Sequence, residues 1–275
     1  MFADLHTHSV FSDGSMTPEQ IVRDAVKNNV GVLALTDHDT LAGSLQIRQM
    51  CADNKIYCIP GVEISALDRR WSCHILAYGF DVYDAGFIDF ISHTRFLLDE
   101  KSVKLIEAMQ RDYTQISLRD YFEYIDNAGF GGWKALRYLA DKRIVPSIKD
   151  GIKFYSQYDI LDERSGFPSV ASAAYRIKKA GGYAVLAHPG KLIDTTDTDY
   201  FRAEINRLTA YGLDGVECHH PSHSDAITRV CTDICKANNL LITSGSDCHG
   251  DFGSTRVGGM RIETDSLLLG RLLDN

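Results

Sequence analysis

Short apolar runs and amphipathic stretches alternate along most of the chain. Residues 2–5 read as a short strand and 31–36 (GVLALT) as a buried one. Thr17-Pro18-Glu19-Gln20 is a capping box with proline in the first helical turn, and it opens a helix to about Asn28. A helix over 44–53 and strands over 56–65 and 72–80 complete the first eighty residues. The rhythm returns later, with helices over 169–179, 200–211 and 225–238 and strands over 182–187, 215–218 and 240–244. Strands separated by helices at this spacing predict βα units and a largely parallel sheet.

Between Asp84 and Gly166 the pattern changes. Lys, Arg, Asp, Tyr and Leu recur at helical spacing with few valine-rich runs, which predicts one long helix near 86–111 and shorter ones after it. The aromatics of this stretch (Tyr113, Tyr121, Phe122, Tyr124, Phe130, Trp133, Tyr138) are read as a small core of its own. About seven strands interrupted once by helices suit an α/β barrel related to the (β/α)8 type, at residues 1–85 and 167–275, with a helical cap inserted at 86–166. In such a barrel the active site gathers at the strand C-termini.

Composition narrows the class. The chain has 275 residues, 44% hydrophobic and 24% charged, which is ordinary for a globular protein. Its apolar runs fall short of the roughly 18 residues a membrane span needs. No basic-then-apolar leader is visible at the start, so a soluble cytoplasmic protein is expected. The formal charge of −8 argues against a broad nucleic-acid face, so any phosphate must be held locally. Seven cysteines without a Cys-x-x-Cys pair read as reduced thiols, and Cys231 and Cys235 at i,i+4 as buried packing residues.

The chemistry sits at the strand ends. Asp4-Leu5-His6-Thr7-His8 closes the first strand, and histidines at i,i+2 of an extended segment project to one side, where they can grip one metal ion. The second strand ends Thr36-Asp37-His38-Asp39, the third runs Gly61-Val62-Glu63-Ile64-Ser65, and the fourth carries His74. Later strands end Ala187-His188-Pro189-Gly190 and Ser246-Asp247-Cys248-His249. Six of the ten histidines thus lie at strands or strand ends beside or across from carboxylates. Asp4 and Asp37 alternate with the histidines and are read as supports; Cys73 and Cys248 should point to the opposite side by pleat parity.

These motifs, with Ser12-Asp13-Gly14 and in this order, resemble those of the PHP family, named for polymerases and histidinol phosphatases. The resemblance covers the chain apart from the insertion and implies a distorted (β/α)7 TIM-like barrel. It also implies two or three divalent transition-metal ions (Mn, Fe or Zn). His6, His8, Glu63 and Asp247 match one metal site; Asp13, His38 and His249 match a second; His74 and His188 share Glu63 with a third. Nitrogen and oxygen ligands without thiolate suit such ions, and the ions would give an acidic protein its local attraction for phosphate.

The implied activity is hydrolysis of a small phosphomonoester, a nucleotide or 3′,5′-bisphosphonucleotide among them, by a hydroxide bridging two ions. The alternatives are nuclease-like trimming of an oligonucleotide end, a histidinol-phosphate-type phosphatase and a non-catalytic metal-binding module. No membrane or stable nucleic-acid partner is expected. For substrate contacts the sequence offers Lys191 after Ala-His-Pro-Gly, His223 in Ser222-His223-Ser224, and Lys134 and Arg137 in Gly132-Trp133-Lys134-Ala135-Leu136-Arg137. That last stretch departs from the family's R-T-H-x-A-R by lacking the first arginine. His219 and His220 are read as loop histidines.

Overall fold

The computed structural model describes residues 1–69, 71–124 and 133–274. Phe130 and Gly132, singled out above, lie outside the described residues. The elements run β1 (Phe2–Asp4), α1 (Pro18–Lys27), β2 (Val30–Leu33), α2 (Ala42–Asp53), β3 (Tyr57–Cys58), β4 (Gly61–Asp68) and β5 (Trp71–Tyr78). Helices α3 (Ala85–Met109), α4 (Leu118–Glu123), α5 (Lys134–Asp141), α6 (Ile148–Gly151) and α7 (Lys153–Gln157) follow. The chain closes with α8 (Val170–Lys179), β6 (Tyr183–Leu186), α9 (Pro189–Leu192), α10 (Thr198–Thr209), β7 (Gly215–His219), α11 (Asp225–Asn238) and β8 (Leu241–Ser244). The capping box forms as expected: Gln20 N–H donates to the Thr17 hydroxyl, and Thr17 N–H to the Gln20 side chain at 2.7 Å.

The fold is mixed α/β, but the strands form two sheets, β1-β2-β3 and β4-β5-β6-β7-β8. Parallel pairing holds within the first sheet and along β6-β7-β8. It fails in the middle, where β5 is antiparallel to both β4 and β6. The reason is local. Only residues 69 and 70 separate Asp68 from Trp71, too few for a parallel crossover, and Arg69 takes a left-handed φ of 53°. The single strand expected over 56–65 is broken before Pro60 into β3 and β4, which belong to different sheets.

Among the described residues the strands do not close into a barrel. The sheets meet through isolated bridges, Thr7 with Cys248 and His38 with Glu63. Both bridges lie at strand ends that carry the histidines and carboxylates, so the seam between the sheets is also where the chemistry collects.

The main core packs α8, α10 and α11 against the five-stranded sheet, while α1 and α2 bury Ile21, Ala25, Ile47 and Cys51 against β2. Helix α3, about 37 Å long at 1.5 Å per residue, serves two cores. Phe87 and Ile91 in its first half join the main core; Leu105, Ile106 and Met109 in its second half join a separate cluster with Tyr121, Tyr138 and Phe154. Helices α4, α5 and α7 thus bury an apolar face in a cluster of their own, and α3 links that cluster to the main core.

Candidate metal centre

The segment after β1 runs beside the segment after β8. Leu5 N–H donates to Ser244 O, Asp247 N–H to His6 O and His8 N–H to Cys248 O. In this extended pairing Leu5 and Thr7 face one way, and His6 and His8 face the other, both fully buried. Glu63 is registered the same way from β4: its N–H reaches Thr36 O at 3.2 Å, and its carbonyl accepts from Asp39 N–H. Asp4 and Asp37 act as supports. Asp4 accepts the N–H groups of Ser246 and Gly258 at 2.8 and 2.7 Å, whereas Asp37 accepts from Ser9 and Ser12. Cys73 and Cys248 point away into the two cores.

Glu63 is the hub. Its Oε1 lies 2.9 Å from His74 Nδ1 and 3.0 Å from His188 Nε2. Its Oε2 lies 3.0 Å from His6 Nε2, 3.2 Å from His8 Nε2 and 3.4 Å from His38 Nε2. Asp247 Oδ1 approaches His6 and His8 at 3.4 and 3.2 Å, and Asp13 approaches His8 and His249 at 3.3 and 3.1 Å. The nine residues singled out in the sequence therefore converge. Four sets of ligand atoms lie within 4.8 Å of one another: His8/Asp13/His38/His249, His6/His8/Asp247, His6/Glu63/His188 and His38/Glu63/His74.

The donor set fits divalent ions. His8 Nδ1 and Nε2 and His74 Nδ1 are buried without a hydrogen bond, although carboxylate oxygens lie within ion-pair reach of each. Buried imidazole nitrogens left without a hydrogen bond beside carboxylate oxygens are what a cation-coordinating cluster presents. The electrostatics agree. Burial pushes His6 down, but Glu63, Glu217 and Asp247 overcome it and hold the ring well above the usual histidine range. His8 is likewise carried up to about 10 against burial, by Asp13, Asp247 and Glu63. Glu63 sits well below the carboxylate range because the surrounding imidazoles outweigh its desolvation. Burial takes His38 down to about 3, which keeps its lone pair free at neutral pH.

Two residues of the cluster were missed in the sequence. Glu217 on β7 is fully buried, accepting from His6 Nδ1–H at 3.0 Å and from the His188 backbone N–H at 2.8 Å. It holds the His6 ring by Nδ1–H, so that Nε2 is the nitrogen turned to the cluster, and it accepts from the backbone of His188, which has an unusual φ of 28°. His220 lies in the loop after β7 as expected, but it is buried, and its Nε2–H donates to Asp247 Oδ2 at 3.2 Å while Nδ1 accepts from Ser222 N–H at 3.1 Å. The strand alternation Val216-Glu217-Cys218 was the available signal for Glu217. Nothing in Cys218-His219-His220 distinguished which histidine turns inward.

The matches to known proteins bear directly on this cluster. The PHP domain family profile matches residues 4–145, which span His6, His8, Asp13, His38, Glu63 and His74. The chain belongs to the PHP family. A phosphoribosyl 1,2-cyclic phosphate 1,2-diphosphodiesterase from Eggerthella lenta is 30% identical over 95% of this chain and 99% of that protein. A 3′,5′-nucleoside bisphosphate phosphatase from Chromobacterium violaceum is 27% identical over 90% of this chain and 86% of its own length. A solved structure from Bifidobacterium adolescentis, described as a metal-dependent phosphoesterase, superposes with a TM-score of 0.77 at 25% identity, covering 96% of this chain and 93% of that one. This PHP protein is accordingly a metal-dependent phosphoesterase, a hydrolase of phosphoric esters.

The residues put forward for substrate contact separate into two groups. Lys191 stands at the cluster, its ammonium against Asp247 Oδ2 and about half exposed. His223 instead braces the loop after β6: its Nε2 accepts from Gly190 N–H and its Nδ1–H donates to Cys218 O, both at 3.0 Å. Lys134 lies 4.8 Å over the Tyr121 ring of α4. Arg137 is buried on α5. A cleft of about 260 Å³ between the cluster and helices α3, α5 and α7 is lined by Asp13, His38 and His74 on one side and by Lys101, Trp133 and Tyr155 on the other. A larger cavity, about 500 Å³, opens beside Tyr57, Cys58 and Gly79, and none of the clustered residues lines it. No helix among the described residues is long and apolar enough to cross a membrane.

Proposed function

We propose that the protein removes the phosphate of a small phosphomonoester, of nucleotide or phosphosugar size, in the cleft between cap and cluster. The observation that carries this reading is the cleft itself: about 260 Å³ directly over Asp13, His38 and His74. That is at or below the roughly 300–1,000 Å³ typical of sites for drug-sized ligands. It favours a compact substrate over a long nucleic acid.

His6, His8, Asp13, His38, Glu63, His74, His188, Asp247 and His249 would hold two or three divalent ions, Mn, Fe or Zn. When bound, such ions polarise the phosphoryl group and make water a nucleophile at neutral pH. Glu217 would hold the His6 ring by its Nδ1–H and leave Nε2 as the nitrogen for an ion, and His220 orients Asp247. The half-exposed Lys191 offers its ammonium to a phosphate oxygen beside Asp247. The cap, read as residues 86–166 inserted between 1–85 and 167–275, covers the cleft and limits the entry of water. The two bridged sheets are read as a distorted, open relative of the seven-stranded β/α barrel. Seven free thiols support a reducing compartment, the cytoplasm.

The test is phosphate release, with Mn²⁺ added, from 5′-mononucleotides, 3′,5′-bisphosphonucleotides, ribose 5-phosphate, histidinol phosphate, an aryl phosphate and a short oligoribonucleotide. Turnover of the small monoesters is expected to exceed that of the oligonucleotide at every salt concentration. Faster oligonucleotide turnover that falls steeply with salt would replace this reading with a nuclease.

A further inference from the structure

Six of the seven thiols are buried; Cys58, on the edge strand β3 of the three-stranded sheet, is half-buried. It lines the cavity of about 500 Å³, together with Arg48, Tyr57, Gly79, Asp81 and Tyr83. That cavity shares no lining residue with the metal cluster, and its volume suits a small organic molecule. Arg48, on α2, is exposed there and pairs with no carboxylate among the described residues. Asp81 is exposed too, its carboxylate accepting Tyr83 N–H at 2.9 Å. The cavity thus offers one cation and one carboxylate beside one thiol. Two neighbours favour the thiolate at Cys58. Cys51, on α2, is fully buried in the apolar cluster against which Cys58 packs. A hydrogen bond from Cys51 lowers the Cys58 thiol, burial opposes it, and the Arg48 charge lowers it further, leaving it below the ordinary thiol range. Cys58 first, and burial second, push Cys51 far up, so Cys51 stays protonated and acts as the donor. The thiolate is the attacking form in disulfide exchange.

We propose that Cys58 is a thiolation site, which takes up an amino-acid or peptide thiol bearing both carboxylate and ammonium groups as a mixed disulfide. The co-reactant is the symmetrical disulfide of that thiol. The Cys58 sulfur attacks one of its two sulfurs; the new S–S bond forms as the old one breaks. The departing thiolate leaves with the electron pair and takes up the proton that Cys58 lost. Cys58 is thereby oxidised to the disulfide level and one half of the reagent is reduced to thiol. Arg48 pairs with a carboxylate of the incoming group and Asp81 with its ammonium. Cys51, protonated and shut inside its apolar cluster, does not displace the bound thiol, so the mixed disulfide persists until a reductant removes it.

The test needs no phosphate release. Reduced protein is incubated at neutral pH with glutathione disulfide or with the uncharged 2-hydroxyethyl disulfide, the remaining thiols are alkylated, and intact mass and peptide mapping follow the reaction in time. One glutathione per chain is expected, on Cys58, and it should form faster than the hydroxyethyl adduct. Arg48→Gln, a change at an exposed position, should slow the glutathione reaction about three- to tenfold. The lower figure is the loss of thiolate set against the greater reactivity of a more basic sulfur, and the lost carboxylate contact adds the rest. The same variant should remove most of the advantage of glutathione disulfide over the uncharged reagent. Cys51→Ala should slow both reagents by a similar factor, because it removes only the hydrogen bond to the thiolate. Three results would overturn the proposal: first modification at another cysteine, a Cys51–Cys58 disulfide with no glutathione retained, or a wild type that does not distinguish the two reagents.

Discussion

Replacing Glu217 by glutamine isolates the part of the site that acts on the ligands without being one of them. Its two oxygens accept from His6 Nδ1–H and from the His188 backbone N–H, at 3.0 and 2.8 Å. A backbone N–H can only donate, so the glutamine oxygen must stay with His188. The amide NH2 is then left facing His6 Nδ1, which must accept, and the proton of a neutral ring moves to Nε2. That nitrogen lies 3.0 Å from Glu63 Oε2 and 3.4 Å from Asp247 Oδ1, where its lone pair is needed. Loss of a supporting partner of this kind costs about 10- to 100-fold in metal affinity, or about 1.4–2.7 kcal/mol. The assay is competition for Mn²⁺ or Zn²⁺ against a chromophoric chelator, with the unfolding midpoint of chelator-treated protein as the control for folding. A weakened site in a folded protein is expected, with affinity partly restored in Glu217→Asp if that shorter carboxylate still reaches Nδ1. A folded Glu217→Gln variant with wild-type affinity would refute the tautomer argument.

Three further outcomes follow from the same geometry. Gly245→Ala would place a methyl 2.1 Å from His6 Cβ and 2.5 Å from Glu217 Oε1, so metal binding and melting temperature should both fall, measured by elemental analysis and calorimetry. Asp4→Ala strands the Ser246 and Gly258 N–H groups in a buried setting and should cost about 2–4 kcal/mol in urea denaturation, with no gain in any activity. Metal uptake should release protons at pH 7. His6 is held well above the ordinary histidine range and His8 near 10, so both rings bind protons there and the ions compete for the same nitrogens. Apparent affinity should therefore rise from pH 6 towards pH 9, and titration calorimetry in two buffers of different ionisation enthalpy should show net proton release. A pH-independent affinity would contradict this.

Much of the centre was legible because most proposed ligands lie in short motifs at or just beyond strand ends, where an extended chain sends alternate residues to one side, although His74 sits in mid-strand and Asp13 in a turn. His6 and His8 show this directly. Glu217 was harder to read, since one acidic residue in an apolar strand has no local partner; His6 lies 211 residues away in sequence. The inward turn of His220 depends on the shift in pairing register between Glu217 and His219, which composition does not reveal. In the fold, the helix expected over 225–238 is α11, Asp225–Asn238, which the structure shows capped by the Ser224 side chain. The antiparallel placement of β5 was misjudged because hydrophobic periodicity reports burial and carries no direction. The brevity of the Asp68–Trp71 connection would have shown it. The lysines of this helical stretch look alike in sequence, yet Lys134 and Lys142 turn to Tyr121 and Asp120 while Lys101 lines the cleft.

The central claim is that nine side chains from both sheets share divalent ions around Glu63. Crystals of the protein grown with Mn²⁺ and measured on both sides of the manganese absorption edge test it most directly. Two or three anomalous peaks are expected, each within about 2.0–2.4 Å of imidazole nitrogens and carboxylate oxygens of this set, with Glu63 touching more than one. Fully occupied peaks elsewhere, or none in protein that hydrolyses a phosphomonoester under the same conditions, would contradict the account.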